Sequence, residues 1–176
     1  MAVSSSALAG AGLGVSVQSG DPTIFVPVDV GPKFRIESFV FYSHDKSEER
    51  LYDPPSPYTL EGVNEATTYE LGLGLFGLAP TSENSQVYYG GRLSYRSIKC
   101  ELRYEGTRQP GLVVTNEETK FDGAAISAVL GFEYRFTEHF SVGGEASITA
   151  MNLEGDRDES LESTDTDTNV IFRYRF

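Results

Sequence analysis

Eleven charged residues stand at alternate positions inside stretches that otherwise hold small or apolar side chains: Asp29, Arg35, Glu37, Glu70, Arg92, Arg96, Glu133, Arg135, Glu145, Arg173 and Arg175. Five carboxylates face six guanidinium groups, a nearly balanced set. Such a set suits mutual pairing in an interior, because a buried charge without a partner costs several kcal/mol. The same residues could instead line a proton or ion path. In a small barrel whose interior is filled by side chains, structural pairing is the stronger expectation.

Other chemistry is sparser. The two histidines are His44 and His139, and His44 has Ser43 and Ser47 nearby with several carboxylates in the same stretch. That is the minimum for a Ser/His hydrolase, but no His-x-Ser pattern of the lipid A deacylase kind is present and no catalytic residue is expected. Glu154, Asp156, Asp158, Glu159, Glu162, Asp165 and Asp167 form an acidic run. Oxygen-rich loops bind hard cations, yet the spacing follows neither an EF-hand nor a nonapeptide repeat, so a solvated charge run is expected. Neither a metal nor a cofactor is anticipated. Cys100 is the single cysteine, which excludes an intramolecular disulfide and a thiolate zinc cluster.

The elements that must position these residues follow from periodicity. The chain ends in Val170, Phe172, Tyr174 and Phe176 alternating with Asn169, Ile171, Arg173 and Arg175, and a period of two is the signature of a strand. Similar alternation recurs at 10–18, 23–30, 34–43, 69–79, 86–97, 124–136 and 140–150, so eight strands are predicted. Ser19 to Pro22, Gly31-Pro32, Pro80 to Asn84 and Thr137 to His139 read as tight turns, and Pro27 as a bulge, since proline cannot donate to the ladder. The polar segments 44–67, 99–120 and 154–167 read as long loops, the second with strand character at its base and strand addition of a partner as one of its two readings. Long connections on one side and short ones on the other, with an even strand count, are the layout of an outer-membrane barrel.

The faces decide which side is inside. One face of every strand is essentially free of charge and rich in Leu, Val, Ile, Phe and Tyr; the other holds the eleven charged residues with glycines and serines. Eight strands of bulky residues would overfill a lumen that only just accommodates side chains, so the apolar face is expected to meet lipid. With 176 residues and a net charge of −12 the chain forms one domain and does not suit nucleic acid. No run reaches the ~18 apolar residues of a membrane helix, a test that β-barrels evade. Residues 1–9 resemble the tail of an export signal or a tag, leaving 10–176 as the barrel domain.

At this point the chain resembles the OmpA/OmpX-like bacterial outer-membrane β-barrel domain family over 10–176. The resemblance is carried by Gly12-Leu13-Gly14-Val15, Glu70-Leu71-Gly72-Leu73-Gly74, Gly131-Phe132-Glu133-Tyr134-Arg135-Phe136, Phe140-Ser141-Val142-Gly143-Gly144-Glu145 and the terminal aromatic. It implies an all-β, eight-stranded antiparallel up-and-down transmembrane barrel in the bacterial outer membrane. It also implies that Phe172, Tyr174 and Phe176 are the signal read by the barrel assembly machinery. No peptidoglycan-binding domain of the OmpA kind is expected after the barrel. The functional expectation is a non-enzymatic surface protein in contact with outer-membrane lipid and lipopolysaccharide, with a structural, adhesive or partner-binding role for its acidic loops. A small-solute pore and, further off, a lipid-modifying enzyme are the alternatives, and a soluble lipid-carrier barrel is the rival fold.

Overall fold

In the computed structural model, residues 10–18, 21–52, 59–108, 111–156 and 160–176 are described; segment 1–9, read above as leader or tag, lies outside them. Eight strands follow one another: β1 (Gly10–Gln18), β2 (Asp21–Val30), β3 (Phe34–Tyr52), β4 (Thr59–Pro80), β5 (Ser85–Arg108), β6 (Gly111–Arg135), β7 (Phe140–Gly155) and β8 (Ser160–Arg175). Each pairs antiparallel with its sequence neighbour, and β1 closes on β8. The sheet has no barrel edge left unpaired at the level where β1 meets β8, which removes the main hazard of an isolated sheet.

The alternation sets the two surfaces. Leu73 is 60% exposed, whereas Arg35 and Glu133, at inward parity, are each 1% exposed. Leu71, Leu75, Leu93, Ile126, Leu130, Ile148 and Phe172 share the outer face with Leu73. Aromatic rings flank this apolar band: Tyr42, Tyr69 and Tyr95 at one rim, and Phe136, Phe140, Tyr174 and Phe176 at the other. The Tyr42 and Tyr69 centroids are 5.1 Å apart, and Tyr174 meets Phe140 at 5.0 Å and Phe176 at 5.5 Å. Two aromatic girdles around an apolar band are how a barrel seats in a bilayer.

Several boundaries depart from the sequence reading. The segments 44–67, 99–120 and 154–167 are largely strand: β3 pairs with β4 out to Tyr52 and Thr59, β5 with β6 out to Arg108 and Gly111, and β7 with β8 out to Glu154 and Ser160. Backbone pairing continues beyond the lipid because ladder hydrogen bonds do not require a buried face. Asp21 and Pro22 belong to β2 rather than to a turn, opposite Gln18 and Val17. Pro27 makes no bulge: the β1–β2 register is the same at Ala11/Val28 and at Gly14/Phe25, with pairing interrupted between them and no residue inserted. At the Gly31 turn the backbone takes φ of 69°, the left-handed region that glycine enters without a Cβ clash.

Candidate functional site

Inward parity brings side chains from seven strands into a stacked interior. Glu133 on β6 is its hub. Its Oε2 accepts from Arg35 Nη1 at 2.9 Å, Arg173 Nη1 at 3.3 Å and Gln86 Nε2 at 3.2 Å; its Oε1 accepts from Ser141 Oγ at 2.7 Å and Arg175 Nη2 at 2.9 Å. Asp29 closes this level, taking Arg35 Nε at 2.7 Å and Arg175 Nη1 at 3.2 Å.

Arg173 reaches on to the next level, donating Nη2 to Glu37 at 3.1 Å. Glu37 also accepts from Arg92 Nη2 at 2.8 Å. Arg92 in turn grips Glu145 with both terminal nitrogens, one of them at 2.8 Å to Oε2, and Tyr88 donates its hydroxyl to the same carboxylate at 3.1 Å. A third level toward the long hairpins holds Glu70, which accepts from Ser94 Oγ at 2.6 Å and Arg96 Nε at 2.8 Å. Four carboxylates and four arginines thus form one network, and Glu70 with Arg96 a separate pair above it. Arg135, half-buried beside the turn at 136–139, makes no ion pair among the described residues, and its Nε has no hydrogen-bond partner.

Rings complete the packing in a way that the charge pattern did not reveal. The Arg92 guanidinium lies 5.0, 5.6 and 5.3 Å from the centroids of Phe25, Phe39 and Phe76; Arg173 and Arg35 lie 4.9 and 5.7 Å from that of Tyr88. Flat cations over ring faces gain electrostatic attraction while excluding water. The available signal was the inward parity of Phe25, Phe39, Phe76 and Tyr88, four bulky residues on a face otherwise poor in them. Glycines make room: a Cβ on Gly131 would collide with the Tyr88 ring, and one on Gly72 with that of Phe39. A cavity of about 90 Å³ lies on the hairpin side of Arg92, lined in part by Phe41, Glu70, Arg96, Thr149 and Asn169.

The remaining candidates separate. Ser43 faces inward and donates to Asp21 Oδ2 at 2.9 Å, while His44 faces outward against Thr67 Oγ1 at 3.0 Å. Adjacent strand residues point to opposite sides, so these two do not form a nucleophile and base. His139 contacts the Arg175 carbonyl oxygen at 2.9 Å through Nδ1 and stacks on Tyr174. Of the acidic run, Glu162, Asp165 and Asp167 lie on β8, residues 157–159 lie outside the described set, and no group of three or more metal-ligating side chains occurs among the described residues.

An eight-stranded closed barrel with an apolar belt, aromatic girdles and its charges turned inward is an outer-membrane β-barrel. Residues 2–176 match the family described as the outer membrane protein beta-barrel domain, and the chain belongs to that family. Its place is the outer membrane. Among solved structures it is similar to CarO2 of Acinetobacter baumannii, at 10% identity over 96% of this chain and 99% of that one with a TM-score of 0.51. A major outer membrane protein of Thermus thermophilus gives 13% identity, 96% and 99% coverage and a TM-score of 0.50. Neisserial surface protein A gives 13% identity, 96% and 94% coverage and a TM-score of 0.50. Identities this low establish the shared fold alone. No curated protein matches the sequence.

Proposed function

We propose that this outer-membrane barrel is a non-enzymatic surface protein with a closed lumen, and that it presents a projecting sheet to a structural, adhesive or protein partner. One observation carries the reading. Strands β3 to β6 run for 19, 22, 24 and 25 residues, whereas a tilted membrane strand needs only about 9–11. They rise beyond the barrel as one hydrogen-bonded sheet. Its two edges, 44–52 of β3 and 111–119 of β6, pair with no strand among the described residues. Such edges accept an added strand, with main-chain hydrogen bonds giving affinity and alternate side chains giving specificity.

Replacing 101–118 with a two-residue Asn-Gly turn is expected to leave the heat-modifiable gel migration of the barrel intact. Adherence of cells displaying the protein should fall to that of cells lacking it. Unchanged adherence would remove the docking role. The pore reading has the outward cavity in its favour, but that space ends on Arg92 stacked against Phe25 and Phe39. Planar bilayer recordings are therefore expected to show no steady single-channel steps, and reproducible steps would restore the pore. Phe172, Tyr174 and Phe176 serve as the assembly signal in this proposal, supported by their outward parity at the end of β8; surface yield of Phe176→Ala in cells is its measure. Lipopolysaccharide is the proposed lipid partner on the outer leaflet.

A further inference from the structure

The eight strands do not end at one height. On the hairpin side the β1–β2 pair stops at Gln18 and Asp21, and its pairing with β8 and β3 stops at Val17/Val170 and Thr23/Phe41. Beyond these points residues 160–169 of β8 are held by β7 alone, and residues 42–52 of β3 by β4 alone. Two ladder edges therefore face each other across the space of two further strands, three strand spacings or ~14 Å.

The polarity of the edges suits one occupant. β3 ascends from the membrane and β8 descends to it, so a β-hairpin entering turn-first runs antiparallel to both. Its descending strand prolongs β2, and its ascending strand prolongs β1. Phe176 donates its N–H to the Ala11 carbonyl of β1 at 3.0 Å, whereas Arg175 donates to the His139 carbonyl on the β7 side at 2.8 Å. The β7–β8 register is unbroken up to Ser160, so the even-numbered amides, Thr164, Thr166 and Thr168 among them, point into the gap. Residues 160–169 contain neither lysine nor proline, two common defences of an exposed edge.

Charge narrows the choice. At inward parity along the edges stand Asp45 and Ser47 of β3 and Ser163, Asp165 and Asp167 of β8, in line with the buried Ser43 and Ile171. Asp21 lies at the foot, where Ser43 Oγ is 2.9 Å from its Oδ2 and 3.2 Å from Asp45 Oδ2. Lys46, the one lysine or arginine of residues 42–48 and 160–169, faces outward and pairs with Glu48 and Glu65 at 3.5 and 3.4 Å. Asn169 Oδ1 is buried and has no hydrogen-bond partner among the described residues. Asn169, Asp167, Thr23 and Phe41 all line the cavity of about 90 Å³ at the foot of the gap. Inward carboxylates turn away a strand that cannot match them. A second copy of this chain, with its net charge of −12, is repelled by the same field.

We infer that the gap between β8 and β3 receives a β-hairpin of a partner protein with lysine or arginine on its inward face. The site rests on the partner-binding reading given above, and it lies at the opposite edge of the projecting sheet from β6. Main-chain pairing with β3 and β8 supplies the grip, and cations beside Asp45, Asp165 and Asp167 supply the selection. The hairpin turn, seated over Asp21, brings a donor to Asn169.

The test is fluorescence anisotropy of labelled, backbone-cyclised hairpins, lysine on one face and threonine on the other, added to the detergent-purified barrel. Wild type should bind the lysine hairpin at least ~10-fold tighter than one with glutamate in place of lysine. N-methylation of the outer-edge amides, which keeps the charge and blocks ladder bonds, should cause a similar loss. Asp165→Asn with Asp167→Asn should weaken binding about 10-fold, the scale of two cross-strand charge pairs. Thr166→Pro removes a gap-facing donor, leaves the β7 ladder intact and should also weaken binding. Glu117→Gln with Glu118→Gln, on β6, should leave it unchanged. Variants are compared only where heat-modifiable migration shows an intact barrel. No preference for lysine over glutamate, no loss on N-methylation, or equal weakening by the β6 glutamine pair and the β8 asparagine pair would each overturn the site. If replacing 101–118 still abolishes adherence in those cases, docking itself stands and uses the β6 edge.

Discussion

Glu133→Ala is expected to lower the unfolding free energy of the barrel in lipid vesicles by ~3–5 kcal/mol, the cost of removing one member of a buried ion-pair set. The size follows from convergence. Three guanidinium groups, one amide and one hydroxyl end on this carboxylate, whose side chain is wholly enclosed. Without it, Arg35 and Arg175 keep Asp29, and Arg173 keeps Glu37. Three positive charges then share two carboxylates in a water-poor space. Glu133→Gln should cost less, because an amide oxygen still accepts from Ser141 and from one arginine. Glu70→Ala should also cost less: its partner Arg96 is 22% exposed and reaches water at the hairpin side.

The chain has no tryptophan, so unfolding in urea is best followed by circular dichroism and by loss of the fast-migrating folded band. Adding Arg173→Met to Glu133→Ala tests the mechanism. If stranded charge is the cause, the double variant should be more stable than the sum of the single losses predicts, since the two groups share one network. A Glu133→Ala midpoint close to wild type would mean that water or rearranged arginines replace the hub.

The parts of the fold visible in the sequence are those where one face meets lipid. Between Tyr69 and Ala79, or Ala124 and Phe136, an apolar surround on one side and a crowded lumen on the other force strict alternation, and strand count, direction and facing follow. Above the membrane that constraint lapses. At Ser43 to Glu48 polar residues occupy every position, and at Lys99 to Glu101 and Glu117 to Lys120 they stand at both parities, so the alternation fades while the backbone ladder continues. That is why the projecting sheet read as loops. In the lumen, parity marks Glu133, Arg35, Arg173 and Arg175 as inward but says nothing of their relative height. Their convergence depends on strand stagger, which no single strand encodes. Arg135 illustrates the limit: it has the same parity as Glu133 two residues away, yet it sits too near the turn to join the network. Phe25, Phe39, Phe76 and Tyr88 are equally inward, but only the stagger places their rings beneath Arg92 and Arg173.

The face assignment itself makes the second large prediction, Leu73→Arg. Leu73 lies near mid-height on β4, opposite Leu93 of β5 and Ser38 of β3, with its side chain outward. An arginine there must enter hydrocarbon, and the expected loss is ~2–4 kcal/mol at the bilayer midplane. Tyr69→Arg, on the same face four residues nearer the rim, should cost only ~0–1 kcal/mol, because a long side chain there reaches the headgroups. The gradient is the diagnostic, since either site taken alone could fail for local reasons. In a water-soluble barrel both positions would be exposed to solvent, and arginine would be neutral or helpful at each. A depth-dependent penalty in vesicles therefore distinguishes membrane insertion from a soluble lipid-carrier barrel. Equal, small effects at Leu73 and Tyr69 would contradict the orientation on which the paired-charge lumen and the projecting sheet both depend.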